Sequence, residues 1–218
     1  MIKGEQTKQR MIGVTAELLR KKGYFATGLN EIIAHSKAPK GSLYFHFPGG
    51  KDELATLALR HIGDAWRDHM VGALAGVAPD PARDITLVCG LLAAELERSG
   101  FANGCPLATV TLETAADHEA LRALSAEHFH GLEDMIAARL TAGGLAAGKA
   151  ATLATLVLSS LEGALILARA YHDTAPLHRV AAALGQAVAA APVAAAPAAR
   201  APVGTRPRRR PARRPSAR

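Results

Sequence analysis

Thr27-Gly28-Leu29-Asn30-Glu31-Ile32-Ile33-Ala34-His35-Ser36-Lys37-Ala38-Pro39-Lys40-Gly41-Ser42-Leu43-Tyr44-Phe45-His46-Phe47, with Lys51 close behind, is the stretch that decides the fold. Its first part predicts a short helix over 29–35. Thr27-Gly28 forms the N-cap region, and Leu29, Ile32 and Ile33 fall on one face. Ser36-Lys37-Ala38 reads as a turn, and Pro39 takes the position where a first helical residue tolerates proline. A second helix is expected over 39–45, with Leu43 and Phe47 facing a small core. Two short helices joined by a three- to four-residue turn have the geometry of a helix-turn-helix.

Working outward, residues 5–22 repeat Ile12, Ala16 and Leu19 at helical spacing and stop at Gly23, with Tyr24 and Phe25 expected to pack back on the core. Phe47-Pro48-Gly49-Gly50 breaks the chain. A long helix is then expected from Lys51 to about Leu74, followed by helices near 82–98, 106–115, 118–141, 148–172 and 176–190. No segment alternates as a strand. The reading is an all-α chain of about nine helices. A helix-turn-helix unit spans 1–48 and a helical domain spans 49–190. Residues 191–218 are rich in Ala, Pro and Arg and are expected to form a disordered tail, since recurrent proline forbids helix and little apolar surface offsets ordering.

The net charge of +7 conceals three unlike parts. Residues 1–60 hold ten Lys/Arg and five Asp/Glu; 61–199 hold eight and fourteen; 200–218 hold eight Arg and no acid. A basic head suits a polyanion, whereas an acidic middle does not. The chain opens on polar residues, has no uncharged run of bilayer-spanning length and has two cysteines, Cys89 and Cys105; a soluble cytoplasmic protein with reduced thiols, nucleoid-associated when on DNA, is expected. No nucleophile elbow, zinc-protease helix, P-loop or dinucleotide fingerprint occurs, so neither an enzyme nor a cofactor is expected. The run Glu127, His128, His130, Glu133, Asp134 reads as a solvated face rather than a metal site, because His128 points away from the His130/Asp134 pair.

Taken together, Thr27-Gly28-Leu29-Asn30-Glu31-Ile32-Ile33, Lys40-Gly41-Ser42-Leu43-Tyr44-Phe45-His46-Phe47 and Lys51-Asp52-Glu53-Leu54 resemble the N-terminal domain of TetR/AcrR-type transcriptional repressors. The Pro-Gly-Gly-Lys junction, Gly104-Cys105-Pro106 and Leu161-Glu162-Gly163-Ala164 are similar to the LmrA-like branch. The resemblance implies a homodimer that reads double-stranded operator DNA through its first three helices and holds a small hydrophobic or aromatic effector in its C-terminal domain. Two positions depart from the pattern. Lys37 stands where a glycine is usual and Pro39 where a Ser or Thr cap is usual. A lysine in a left-handed turn costs about 1 kcal/mol or more, which favours a turn of another shape here.

Phosphate contacts supply affinity and base contacts supply choice. Lys40, Tyr44, His46 and Lys51 suit phosphates, Thr27 and Gly28 would add a hydroxyl and an N–H, and Lys37 an extra cation. Gly41 allows close approach, Ser42 reaches a base edge, and Phe45 suits a thymine methyl. Trp66, Met70, Cys89, Leu92, Leu96, Phe101, Cys105, Val110, His128, Phe129 and Met135 are the candidates to line an effector cavity, core packing being the alternative for each. The resemblance places the dimer on the last two helices, where Leu153, Leu156, Ser160, Ala164, Leu167, Leu177, Val180, Leu184 and Val188 form apolar faces that could equally close the monomer core. A second functional reading is a non-specific or architectural nucleic-acid binder driven by the arginine-rich tail.

Overall fold

The computed structural model describes residues 3–191; the tail reading, from residue 192 on, lies outside them. Among the described residues there are nine helices and no β-strand: α1 (Lys3–Lys22), α2 (Leu29–Ser36), α3 (Lys40–His46), α4 (Gly50–Leu74), α5 (Pro81–Arg98), α6 (Pro106–Thr114), α7 (Glu119–Ala142), α8 (Ala147–Tyr171) and α9 (Ala175–Ala189).

Two apolar cores organise them. The first joins Met11, Ile12, Ala16, Leu18 and Leu19 of α1 to Ile32, Leu43 and Phe47, to Leu54, Ala55, Ala58 and Leu59 of α4, and to Leu107, Val110, Leu121 and Leu124 of α6 and α7. Each fully buried Leu, Ile or Phe removes enough apolar surface to contribute ~1.5–3 kcal/mol. The helix-turn-helix is therefore held down by α4, α6 and α7 as well as by its own side chains. The second core lies among α5, α7, α8 and α9, around Cys89, Leu96, Leu140, Val157, Leu161, Leu177 and Leu184.

α1 ends at Gly23, whose φ is +76° and whose N–H donates to the Leu19 carbonyl at 3.1 Å, the left-handed cap that glycine favours. Tyr24 then turns inward, but Phe25 does not: it is 61% exposed and meets Tyr24 edge-on at 5.4 Å.

The turn after α2 corrects the expectation of another shape. Lys37 sits in the left-handed region, φ 52° and ψ 32°. Its N–H donates to the Ala34 carbonyl and that of Ala38 to the Ile33 carbonyl, each at 3.3 Å, and Ala38 is buried. These contacts offset the ~1–2 kcal/mol that a side chain costs there. Pro39 is likewise the N-cap of α3 rather than its first helical residue, with Ser42 N–H donating to its carbonyl at 2.9 Å.

α8 is long and apolar enough to cross a membrane by length and composition. It is instead the central helix of the second core, packed against α7 and α9. Its other side keeps Leu156, Ile166 and Leu167 exposed. Arg169 near its end donates to the carbonyls of Phe101 (3.4 Å) and Ala102 (3.2 Å), holding the α5–α6 loop in place.

Candidate nucleic-acid interface and interior cavity

The short helix α3 has two unlike faces. Leu43 and the following Phe47 are fully buried, while Tyr44 is 66% and Phe45 81% exposed. Lys40 and Gly41 are exposed, Ser42 and His46 half-buried. A Cβ on Gly41 would meet nothing within 4 Å, so the glycine leaves bare helix facing outward beside two exposed aromatic rings. Lys37 and Gly28 are exposed at the two ends of α2.

Thr27 departs from its expected part. It is buried, and its hydroxyl donates to the Gly23 carbonyl at 2.6 Å. A hydroxyl proton spent inside the α1–α2 loop is not available to a phosphate, so Thr27 shapes the loop instead.

Lys51 lies in the first turn of α4, half-buried, with Nζ 4.2 Å from the centroid of the Tyr24 ring. Its partial burial pushes the ammonium pKa down, while the ring face favours the cation. The Tyr24 hydroxyl donates to Asp52, and His118 Nδ1 is 3.3 Å from the other Asp52 oxygen. The Tyr24 bond, then that of His118, holds the Asp52 carboxyl below the usual carboxylate range; burial, then the same bond, raises the Tyr24 phenol. His118 precedes α7, so this cluster ties the helix-turn-helix to the rest of the chain.

Two further ties cross the same boundary. Glu113 of α6 accepts the backbone N–H groups of Tyr24 and Phe25 at 2.5 and 3.1 Å. Arg20 of α1 donates to Glu95 of α5 at 2.7 Å.

Behind these ties is a cavity of ≈ 740 Å³. Trp66, Met70, Leu92, Leu96, Cys105, His128 and Met135 line it. Cys89, Phe101, Val110 and Phe129 do not. Cys89 is sealed in the second core and Val110 in the first. Phe129 packs on the first core, and Phe101 lies over His172 with ring centroids 5.2 Å apart. Residue type marked these four as pocket-like, but helix phase turned Cys89, Val110 and Phe129 elsewhere, and Phe101 sits in the α5–α6 loop at φ 61°. His128 leaves its exposed neighbour His130 and points inward; its Nδ1 bonds the Leu124 carbonyl at 3.1 Å, and Nε2 is buried without a hydrogen-bond partner. Burial pushes the thiols of both cysteines up, Cys89 to about 11, which makes them poor nucleophiles.

Sequence reasoning missed the polar wall. Arg20, Glu95, Asn103, Arg139 and Glu162 also line the cavity, as do Gly13, Ala16 and Glu17 of α1. Arg20 and Glu95 are 75 residues apart and no local pattern joins them. Glu162 did carry a signal, as the one charged residue between Lys149 and Arg169.

On the proposed dimer helices, Leu153, Ala164, Leu177, Leu184 and Val188 are buried in the chain's own core. Leu156 and Leu167 are 47% and 44% exposed; Ser160 and Val180 are half-buried. Ile166, not anticipated, is 57% exposed on the same helix.

Described residues that are all helical, with the outward face of α3 on a helix-turn-helix braced against a larger helical body that holds a cavity, have the build of a helix-turn-helix transcriptional regulator. Residues 12–57 match the family model of bacterial regulatory proteins of the tetR family, and residues 81–183 match the C-terminal domain of LmrA/YxaF-like transcriptional regulators. The chain is 33% identical over 175 residues to the HTH-type transcriptional regulator YxaF of Bacillus subtilis, covering 80% of this chain and 91% of that one. It is 28% identical over 178 residues to the HTH-type transcriptional regulator LmrA of the same organism, covering 82% and 94%. A TetR transcriptional regulator from Chloroflexus aurantiacus superposes with a TM-score of 0.76 at 25% identity, covering 88% and 98%. The chain belongs to the TetR family of transcriptional regulators, in its LmrA/YxaF-like branch.

Proposed function

We propose that this regulator is a repressor released from DNA by a small apolar organic effector. The observation that carries the reading is the position of the cavity: α1 and α4, both of which hold the helix-turn-helix, also form its walls. An occupant that alters those walls changes where α3 sits.

DNA contact is assigned to Lys37, Lys40, Gly41, Ser42, Tyr44, Phe45, His46 and Lys51, with the Gly28 N–H. Lysines and hydroxyls at the backbone set affinity; Ser42 and Phe45 at base edges set choice. Two copies related by a two-fold axis read a palindrome with half-sites one helical turn, or a multiple of it, apart. The exposed Leu156, Ile166 and Leu167 with half-buried Ser160 on α8, and half-buried Val180 on α9, are the face for the second copy. Residues 1–48 form the reading domain and 49–190 the effector and dimer domain. The protein works in the cytoplasm, on the nucleoid when bound.

The effector acts by population shift: it must bind the DNA-incompetent form more tightly, and a compound with equal affinity for both forms releases nothing. The test is titration against DNA from upstream of its own gene, with a random duplex as competitor, at two salt concentrations. Tight, competitor-resistant binding at one dimer or more per site supports the reading. Equal loss to random duplex overturns it and favours the reading in which the eight arginines of 200–218 drive non-specific association. Deleting residues 191–218 then decides: surviving specificity makes the tail a tether, complete loss makes it the binder.

A further inference from the structure

The first two turns of α1 reach both ends of the segment 36–46, which holds the α2–α3 turn and α3. At the far end, a Cβ on Gly4 would stand 3.7 Å from His46 Cε1, an ordinary van der Waals contact. At the near end, Arg10 Nε donates to the Ser36 carbonyl at 3.3 Å, across 26 residues of chain. Between them Thr7 is buried, and its hydroxyl accepts from Arg10 Nη2 at 3.2 Å. Gly4, Thr7 and Arg10 follow at intervals of three, which sets them on one side of the helix, and they span about 9 Å of its length.

Ser36 is the last residue of α2. Carbonyls at a helix end have no partner inside the helix. Here the Ile33 carbonyl accepts from the Ala38 N–H and the Ser36 hydroxyl, the Ala34 carbonyl accepts from the Lys37 N–H, and the Ser36 carbonyl goes to Arg10. A guanidinium there also meets the negative end of the α2 dipole. The Ser36 carbonyl and the Lys37 N–H belong to one peptide group. That group is therefore held at both ends, by Arg10 and by Ala34, each at 3.3 Å. Its rotation sets the Lys37 φ of 52°, a left-handed value that costs a side chain ~1–2 kcal/mol. Within α3 only Leu43 is buried, with Phe47 just past its end, so the direction of α3 depends on that turn.

We infer that Arg10 is a positioning residue for base reading: from α1 it holds the α2–α3 turn, and with it the angle of α3, without itself touching DNA. The inference rests on α3 reading base edges, as proposed above, and adds to that reading a residue outside the contact set.

The test titrates full-length wild type, Arg10→Gln, Arg10→Lys, Lys37→Gly and the double variant Arg10→Gln with Lys37→Gly. Each is titrated with DNA from upstream of the protein's own gene and with a random duplex, at several salt concentrations. Arg10 is exposed, so its variants leave the buried core intact. In Arg10→Gln the ratio of specific to random affinity should fall about fivefold or more, the worth of one base contact, with the salt slope as in wild type. Arg10→Lys keeps the charge but loses the planar fork that serves Ser36 and Thr7 together, so its ratio should fall as well. Glycine at position 37 takes a left-handed φ without a brace. Adding Arg10→Gln to Lys37→Gly should therefore lower the ratio less than adding it to wild type. A salt slope reduced by about one in Arg10→Gln, or full specificity in Arg10→Lys, makes Arg10 a phosphate contact and overturns the inference while the DNA reading stands. An unchanged ratio in Arg10→Gln, or an equal fall in both backgrounds, overturns it too. A wild type with no preference for the upstream DNA overturns the DNA reading and the inference together.

Discussion

The Glu113 carboxylate of α6 occupies the space where Gly23, at the end of α1, has no side chain: a Cβ on Gly23 would overlap its carboxylate atoms. From that position Glu113 accepts the N–H groups of Tyr24 and Phe25. The other end of α6, at Cys105, Pro106 and Leu107, forms part of the cavity wall. A helix of nine residues, about 13 Å long, thus runs from the cavity to the loop that follows α1.

Gly23→Ala should be among the more destabilising single-methyl substitutions in this chain. It places a side chain at φ +76°, costing ~1–2 kcal/mol, and drives the methyl into Glu113. A loss of several degrees in Tm is expected from thermal unfolding followed by circular dichroism. In Glu113→Ala the overlap is gone, so adding Gly23→Ala should cost less than in wild type. Strict additivity would show that the contact does not constrain the loop.

Lys37→Gly should separate stability from affinity. Glycine relieves the left-handed lysine, raising stability by ~1 kcal/mol, while loss of the ammonium weakens DNA binding and lowers the salt slope by about one. Unfolding midpoints and DNA titrations at several salt concentrations check both. Unchanged DNA affinity would remove Lys37 from the contact set.

Lys51→Ala and Tyr44→Ala should each weaken operator and random DNA by similar factors, since phosphate contacts carry no sequence information. Only Lys51→Ala should flatten the salt dependence, because Tyr44 is neutral. Phe45→Ala should instead lower the ratio of specific to non-specific affinity. Competition titrations distinguish these outcomes.

The Tyr24–Asp52–His118 cluster makes stability depend on pH. The Asp52 pKa is depressed in the folded protein, so its contribution is present above the ordinary carboxylate pKa of ~4 and is lost as pH falls through the lower folded value. The difference in urea midpoint between wild type and Asp52→Asn should therefore narrow on going from pH 7 to below about pH 4. Raised in the folded state, the Tyr24 phenol contributes stability below its ordinary pKa of ~10 that declines as pH rises beyond it. A wild-type to Asp52→Asn gap that is constant across acid pH would refute the role of Asp52.

The helices were legible in the sequence because each carries its own local marks. Ile12, Ala16 and Leu19 repeat on one side of α1; Gly23 stops it; Pro81, Pro106 and Pro176 stand in the first turns of α5, α6 and α9. The outward face of α3 was legible for the same reason, since Leu43 and Phe47 fix by spacing which side Tyr44 and Phe45 must take. The cavity was legible only by residue type, and type misplaced Cys89, Phe101, Val110 and Phe129, which are as apolar as the true lining.

By itself, then, the sequence determined the helix order, the helix-turn-helix, the family and the division of charge along the chain, because periodicity, caps and breakers act over a few residues. Tertiary structure alone decided that Arg20 meets Glu95 and that Glu113 grips the Tyr24 loop. Those facts depend on the rotation of one helix against another, and partners far apart in the chain leave no local trace of the angle at which they meet.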